Sequence, residues 1–363
     1  MIYWNKIVEN NWIISSLIRS FVFLMILINN FNKLFKKSGD SLVIICFHKL
    51  GDSVFTIPTI EKIKENFNNE INLFCMKDSA PIYKFVFGDS LNYFSFTNED
   101  FWLGGRISKS KVRKCFKKRN ASLVIDLTSS SRSVSTFILN RAEIIVGFNH
   151  RVFKSLYSIY NSIDTINHIS EIYAKAVQGL VEVDYPLSKF NLEKRNDGDI
   201  LIHPFAGWTS KEWGIYKFVA LAKKINKIRT TKFIIPANLL PEDVMKEVES
   251  SGIKIIQTDT IGELIDHFKR ASLIIGNDSG TIYIANLMGI PTFTIFGPSN
   301  PTFHYVPSEI SDFINNFILC SPGAGDKLCF TNGGRDGCPV NLCMTGLSLE
   351  TVYRKVTDLL KKI

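Results

Sequence analysis

Two apolar runs, at 272–275 and 292–296, flank the stretch that most limits what this chain can fold into. The first run leads into a polar turn holding Asp278, Ser279 and Gly280, a helical segment follows, and the second run closes on Gly297-Pro298. The pattern is a βαβ unit whose polar residues gather at the carboxyl end of a strand and the amino end of a helix. Open α/β sheets bind phosphorylated ligands at that place, because free backbone N–H groups and the helix dipole both favour an anion. Asp278 or Ser279 can cap the helix, and Gly280 lets a ligand approach the backbone. A well-capped helix explains the Asp and the Ser, but not the coincidence of all these features in one turn.

The same alternation runs through the rest of the chain. Residues 41–47 form a continuous apolar run, as expected of a buried parallel strand, and end in His48-Lys49-Leu50-Gly51-Asp52-Ser53. Pro58 is read as opening a helix with Ile60, Ile63 and Phe67 on one face; strands are expected at 71–76, 122–127 and 143–148. After the polar stretch 193–199 the pattern restarts, with strands at 200–203, 232–235, 254–256, 272–275 and 292–296 and an amphipathic helix over 216–225. Residues 302–344 are irregular and rich in Gly and Pro, and a last helix covers 348–360. At roughly 150 residues per domain, 363 residues hold two domains. The expected fold is therefore α/β, two Rossmann-like domains facing a central cleft, with ligands at the carboxyl edges of both sheets. The boundaries follow: an N-terminal extension at 1–40, a first domain at 41–192, a second at 199–346, and a C-terminal helix at 347–363.

The extension is apolar from 12 to 28 except for Ser15, Ser16, Arg19 and Ser20, and Ile14, Leu17, Ile18, Phe21, Leu24, Met25 and Ile28 fall at helical spacing on one face. It sits at the short limit of the ~17–25 residues needed to cross a bilayer, and no small-residue cleavage site follows it. A helix lying in the membrane interface, with Lys33, Lys36 and Lys37 near head groups, fits this pattern better than a span. The formal charge of +9 is concentrated in a second place as well. Arg106, Lys109, Lys111, Arg113, Lys114, Lys117, Lys118 and Arg119 follow one another without an acidic residue. Such a run is either a solvated helix face or a contact for anionic lipid or phosphorylated glycolipid. No zinc finger, RRM-like aromatic motif or helix-turn-helix accompanies it, so nucleic acid is not the expected partner.

Of the seven cysteines, Cys46, Cys75 and Cys115 fall in or beside expected core elements. Cys320, Cys329, Cys338 and Cys343 cluster late, but no pair is CxxC; reduced thiols in an irregular loop are favoured over a structural metal.

Two further loops sit at strand ends. The loop with Gly51-Asp52 lacks the GxGxxG fingerprint, which disfavours an ordinary dinucleotide site. Asp52 is either a turn or capping carboxylate or a general base for an acceptor hydroxyl. The loop His203-Pro204-Phe205-Ala206-Gly207-Trp208-Thr209-Ser210-Lys211-Glu212-Trp213 joins small residues and hydroxyls to a lysine that can offset phosphate charge.

Together these segments resemble glycosyltransferase family 9, the lipopolysaccharide heptosyltransferase family with the GT-B fold. The likeness rests on Leu50-Gly51-Asp52-Ser53-Val54 with Pro58, on His203-Pro204 with Lys211-Glu212-Trp213, and on Gly276-Asn277-Asp278-Ser279-Gly280 with Gly289-Ile290-Pro291 and Phe296-Gly297-Pro298. Cys343-Met344 before a last helix also matches, so the resemblance spans about 41–358. It implies an inverting transfer of a sugar, heptose from ADP-heptose, to a lipopolysaccharide core or related lipid-linked glycan at the cytoplasmic side of the bacterial inner membrane. By position Asp52 is the catalytic base and Lys211 meets the donor phosphates. Glu242 falls near the ribose-binding acid, and Asp278, Ser279, Gly280, Thr281 and Tyr283 form the donor turn. Neither a metal nor a separate cofactor is required, the nucleotide sugar being a cosubstrate. The chain departs from the family pattern at Tyr283, where histidine is usual, and in its N-terminal helical extension. Two other readings use the same turn: a silent nucleotide-sugar or glycolipid-binding protein, and a GT-B enzyme with a different donor or an epimerase chemistry.

Overall fold

The computed structural model describes residues 11–35, 39–68, 70–101, 110–163, 168–183, 192–193, 197–237, 239–316, 338 and 341–363, with backbone alone for 32–35. The chain divides into two compact units, Met1–Pro186 and Leu187–Ile363.

The first unit runs α1 (Trp12–Phe35), β1 (Leu42–Cys46), α2 (Leu50–Asn66), β2 (Ile71–Met76), α3 (Ala80–Phe87), β3 (Asn92–Phe96), α4 (Lys111–Arg119), β4 (Leu123–Asp126), α5 (Ser131–Phe137), β5 (Ile144–Phe148), β6 (Ile159–Asn161) and α6 (Ile169–Ala176). Its six strands are all parallel, in the order β3-β2-β1-β4-β5-β6. The central strand β1 is buried at every position, as its uninterrupted Leu-Val-Ile-Ile-Cys requires with helices over both faces.

The second unit repeats the plan with β7 (Asp199–His203), α7 (Ile215–Ile225), β8 (Thr231–Pro236), α8 (Glu242–Ser250), β9 (Lys254–Thr258), α9 (Ile261–Phe268), β10 (Ala271–Asn277), α10 (Gly280–Leu287), β11 (Thr292–Phe296), β12 (Asp312–Asn315), α11 (Leu342–Thr345) and α12 (Leu349–Leu360). Its order, β12-β11-β10-β7-β8-β9, is again all parallel. Val352, Val356 and Leu359 of α12 enter the core formed by Phe218, Leu221 and Ile225 of α7 and the inner strands. Lys217 of α7 donates to the carbonyls of Thr345 and Leu347 at 3.0 and 3.1 Å, collecting the acceptors that a helix end leaves open.

Three of the readings need correction. First, α2 begins at Leu50, so Pro58 lies inside the helix and Phe67 is its C-cap. Proline has no N–H for the carbonyl of Val54, but burial of Val54, Phe55, Ile57 and Ile60 holds the helix together across that missing bond. Second, β3, β6 and β12 were not expected. They mix polar with apolar residues and are only partly buried, because all three are edge strands with a neighbour on one side alone.

Third, the apolar positions of α1 do not share one face. Ser15, Val22, Met25 and Asn29 are buried, with Ile18 and Ile26 packed beside them. Ile14, Leu17, Phe21, Leu24 and Ile28 point away from the unit and are exposed. Asn29 fastens the helix, donating to the Ile138 carbonyl at 2.9 Å and accepting from the Asn140 N–H at 3.2 Å. The inward stripe has the 3–4 spacing of a packed helix, which takes Ile18 and Met25 out of the lipid-facing set proposed from sequence.

Candidate functional site

In the second sheet β7 and β10 are neighbours, while β8 and β11 lie on opposite sides of them. This is the point at which the strand order reverses, where the loops after the two central strands separate and leave room for a ligand. The strands meet closely there. Gly276 pairs with His203, and a Cβ at Gly276 would lie 2.7 Å from the His203 carbonyl. Asn277, fully buried, ties the loops together: it donates to the Pro204 carbonyl at 2.6 Å and accepts from the Trp213 N–H at 3.1 Å. Trp213 is in turn fixed by its indole N–H on the Leu347 carbonyl at 2.9 Å.

The register delivers Lys211, from the loop after β7, to Asp278, from the end of β10, as a direct ion pair. The Asp278 side chain is 1% exposed and that of Lys211 15%. Ser299, from the segment after β11, donates to the same oxygen as Lys211, and Tyr283, one turn along α10, donates to the other. Burial by itself would raise the Asp278 carboxyl. The Lys211 ammonium, the nearby His304 and the Lys211 and Ser299 hydrogen bonds outweigh it, and hold the group well below the usual carboxylate range. Lys211 also lies 5.0 Å from the Trp208 ring centroid.

Expected roles and observed places agree only in part. Asp278 caps nothing, because its carboxylate is taken up by the three donors. Ser279 stands at the N-cap of α10 but forms no side-chain cap, and its buried hydroxyl has no partner among the described residues. The helix thus opens with uncapped N–H groups at Gly280 and Thr281, beside an orphan hydroxyl. These groups are donors that an anion can accept from. Glu242, expected near a ribose, is an exposed residue at the start of α8, paired with Lys246 at 2.6 Å. No contact among the described residues joins it to the Asp278 cluster.

Ser299, His304 and Asn277 were missed. The Gly297-Pro298 turn was the available signal for Ser299. Nothing in the spacing pointed to His304, which reaches Tyr283 from 21 residues downstream.

In the first unit the equivalent switch point lies between β1 and β4. Asp52 is half-buried in the first turn of α2, whose N-cap is Lys49 without a side-chain bond. A carboxylate there is favoured by the helix dipole. His48 stands beside it, with Nε2 2.8 Å from the Leu127 carbonyl and its ring 5.3 Å from that of Tyr173. Burial pushes the His48 imidazole below its usual value, against the raising influence of Asp52.

The Cys343 thiol donates to Asn341 Oδ1 at 3.4 Å and the Cys338 sulfur accepts from the Asn341 N–H at 3.2 Å; Cys320 and Cys329 lie outside the described residues, as do Arg106, Lys109, Lys36 and Lys37. Among the described residues no group of three His, Cys, Asp or Glu side chains could hold a metal ion.

Two doubly wound, all-parallel α/β units in one chain are the fold of the GT-B glycosyltransferases. Residues 110–319 match the sequence profile of glycosyltransferase family 9 (heptosyltransferase), and the chain belongs to that family. It is 24% identical over 335 residues to lipooligosaccharide heptosyltransferase 2 of Campylobacter jejuni, covering 86% of this chain and 96% of that one. A family 9 glycosyltransferase from Veillonella parvula superposes with TM-score 0.65 at 19% identity, covering 90% and 98% of the two chains. The ADP-heptose lipopolysaccharide heptosyltransferase II of E. coli does so with TM-score 0.64 at 15% identity, covering 89% and 99%. These likenesses confirm the fold.

Proposed function

We propose that the enzyme transfers heptose from ADP-heptose to a lipopolysaccharide or lipooligosaccharide core, with inversion at the anomeric carbon. The observation that carries the donor side is the orphan Ser279 hydroxyl at the uncapped start of α10, next to Lys211 held on Asp278. A diphosphate placed there receives the N–H groups of Gly280 and Thr281, the Ser279 hydroxyl and the Lys211 ammonium. Asp278 does not repel it, because its charge is already neutralised by Lys211 and shared among hydroxyl donors. The names of the relatives, one a lipooligosaccharide heptosyltransferase and one an ADP-heptose lipopolysaccharide heptosyltransferase, support heptose as the sugar and ADP as the carrier.

On the acceptor side Asp52 takes the proton of the attacking hydroxyl. The hydroxyl oxygen displaces the diphosphate directly, so the C1–O bond to phosphate breaks as the new C1–O bond forms on the opposite face. Negative charge grows on the departing β-phosphate, and Lys211 with the α10 dipole stabilises it there more than in the ground state. Supporting Asp52 as base are its half-exposed position in the first turn of the helix that follows the central strand β1 and the absence of a capping bond from its side chain among the described residues. Lys211 and Tyr283 are proposed as donor contacts and Glu242 as a ribose contact; for Glu242 the support is its place after β8 alone.

The enzyme is proposed to work as a peripheral protein at the cytoplasmic side of the inner membrane, where a lipid-linked core is presented. Incubation of the purified chain with ADP-heptose and a heptose-deficient core acceptor tests the reaction. A product heavier by one heptose residue supports it. Turnover only with another nucleotide sugar would replace the donor while leaving glycosyl transfer in place. Binding of nucleotide sugar without transfer to any acceptor would favour the silent binding protein instead.

A further inference from the structure

The helical layer that carries α1 is also the basic layer of the first unit. α1 enters the core beneath that layer through Val22, α4 through Val112 and Phe116, and the 3₁₀ turn Arg151–Leu156 through Val152, Phe153 and Leu156. On the outside of this layer Lys114, Lys117, Lys118, Arg151 and Lys154 are exposed, and Arg19 is exposed on α1 itself. The side of α1 opposite its buried stripe is apolar: Ile13, Leu17, Leu24 and Leu27 are 61%, 66%, 51% and 51% exposed. A patch of that kind, along a helix of 24 residues about 36 Å in length, exceeds what a water-facing surface normally leaves open.

α1 is apolar enough to cross a bilayer by composition. Crossing would require it to leave the unit, exposing Val22 and Met25 and stripping Asn29 of both its bonds to the end of α5. A helix lying flat keeps all of these. Its inner stripe stays on the protein and its outer face meets acyl chains, the protein taking the place that water has for an ordinary interfacial helix.

We propose that this layer is a membrane-docking face for an anionic bilayer. On it α1 is clamped between the unit and the lipid, and the lysines and arginines of α4 and of residues 151–156 meet the head groups. This rests on the peripheral location proposed above and names the surface and lipid charge responsible.

Flotation of the full chain with vesicles of phosphatidylcholine alone, or of phosphatidylcholine with phosphatidylglycerol, tests it. Binding is expected to the anionic vesicles, to weaken with salt, and to fall at least about tenfold in Leu17→Asp/Leu24→Asp. The charge variant Lys114→Glu/Lys117→Glu/Lys118→Glu is expected to lose the preference for phosphatidylglycerol. Both variants alter exposed positions, and both are expected to keep transfer to a soluble, delipidated acceptor. Vesicle binding by Leu17→Asp/Leu24→Asp equal to that of the unaltered chain overturns the docking face but leaves the peripheral reading intact. Resistance of the unaltered chain to alkaline extraction overturns the flat helix in favour of a span. A lipid-free dimer that becomes monomeric in Leu17→Asp/Leu24→Asp overturns lipid as the occupant in favour of a second copy. Failure of the unaltered chain to bind any vesicle overturns both membrane statements, while the soluble-acceptor reaction stands.

Discussion

The His304 ring lies stacked on that of Tyr283, with 5.9 Å between centroids and 24° between planes, while the Tyr283 hydroxyl donates to Asp278. A histidine is therefore brought to the turn at Asp278 from the segment before β12, although position 283 itself carries tyrosine. Tyr283 and Lys211 take different oxygens of the Asp278 carboxylate.

Removing either ring member separates packing from charge. Tyr283→Phe keeps the stack and loses one hydroxyl donor to a buried carboxylate; about 1 kcal/mol of stability should be lost. His304→Ala should raise the KM for donor by about tenfold, at a cost of about 1 kcal/mol in stacking, with kcat little changed. Steady-state kinetics against donor concentration and thermal melts of both variants check this pair of outcomes.

Asp278 is the acceptor on which the cluster depends. Asp278→Ala leaves the Lys211 ammonium, 15% exposed, without its partner, and we expect a loss of about 3 kcal/mol together with loss of donor binding. The pH dependence follows from the direction of the shift. A carboxyl held below its ordinary value stabilises the fold fully above the unfolded value near about 4, and loses that contribution as the pH falls toward its folded value. Chemical denaturation should show a gap between the parent and Asp278→Asn that is constant from neutral to mildly acidic pH and narrows below about 4. A gap that widens on acidification would contradict the assignment.

Lys211→Met tests leaving-group stabilisation. Loss of one preorganised cation at the diphosphate should lower kcat by about 10²–10³. The variant should also be less stable, since Asp278 then stays buried without its ammonium. Lys211→Arg should recover stability more than rate, because a planar fork does not reproduce a point charge at the same atom.

Much of this was legible in the sequence where burial on both faces writes a continuous apolar run. β1, β2, β4, β5, β10 and β11 were all found that way, and with them the turns holding Asp52 and Asp278. The strands at the sheet edges, β3 and β12, alternate as Asn-Tyr-Phe-Ser-Phe and Asp-Phe-Ile-Asn, and carry no such run. The start of α2 was missed because Pro58 reads as a helix opener, whereas tertiary burial of its neighbours overrides the lost hydrogen bond. Lys211 was singled out by its loop as a lysine able to offset phosphate charge, yet its ion pair with Asp278 bridges 67 residues and has no local signature. The same holds for His304 and Ser299, whose roles depend on β10 and β11 lying side by side. α1 was identified as apolar, but only packing could divide its residues between the unit and the outside.

The most direct test of the account is the rate of sugar transfer by Asp52→Asn, measured with saturating ADP-heptose and a core acceptor. The substitution keeps the size and helix position of the side chain and removes its ability to take a proton. The account predicts a fall in kcat of about 10²–10⁴, with donor KM and melting temperature unchanged. A correctly folded Asp52→Asn enzyme that turns over like its parent would contradict it.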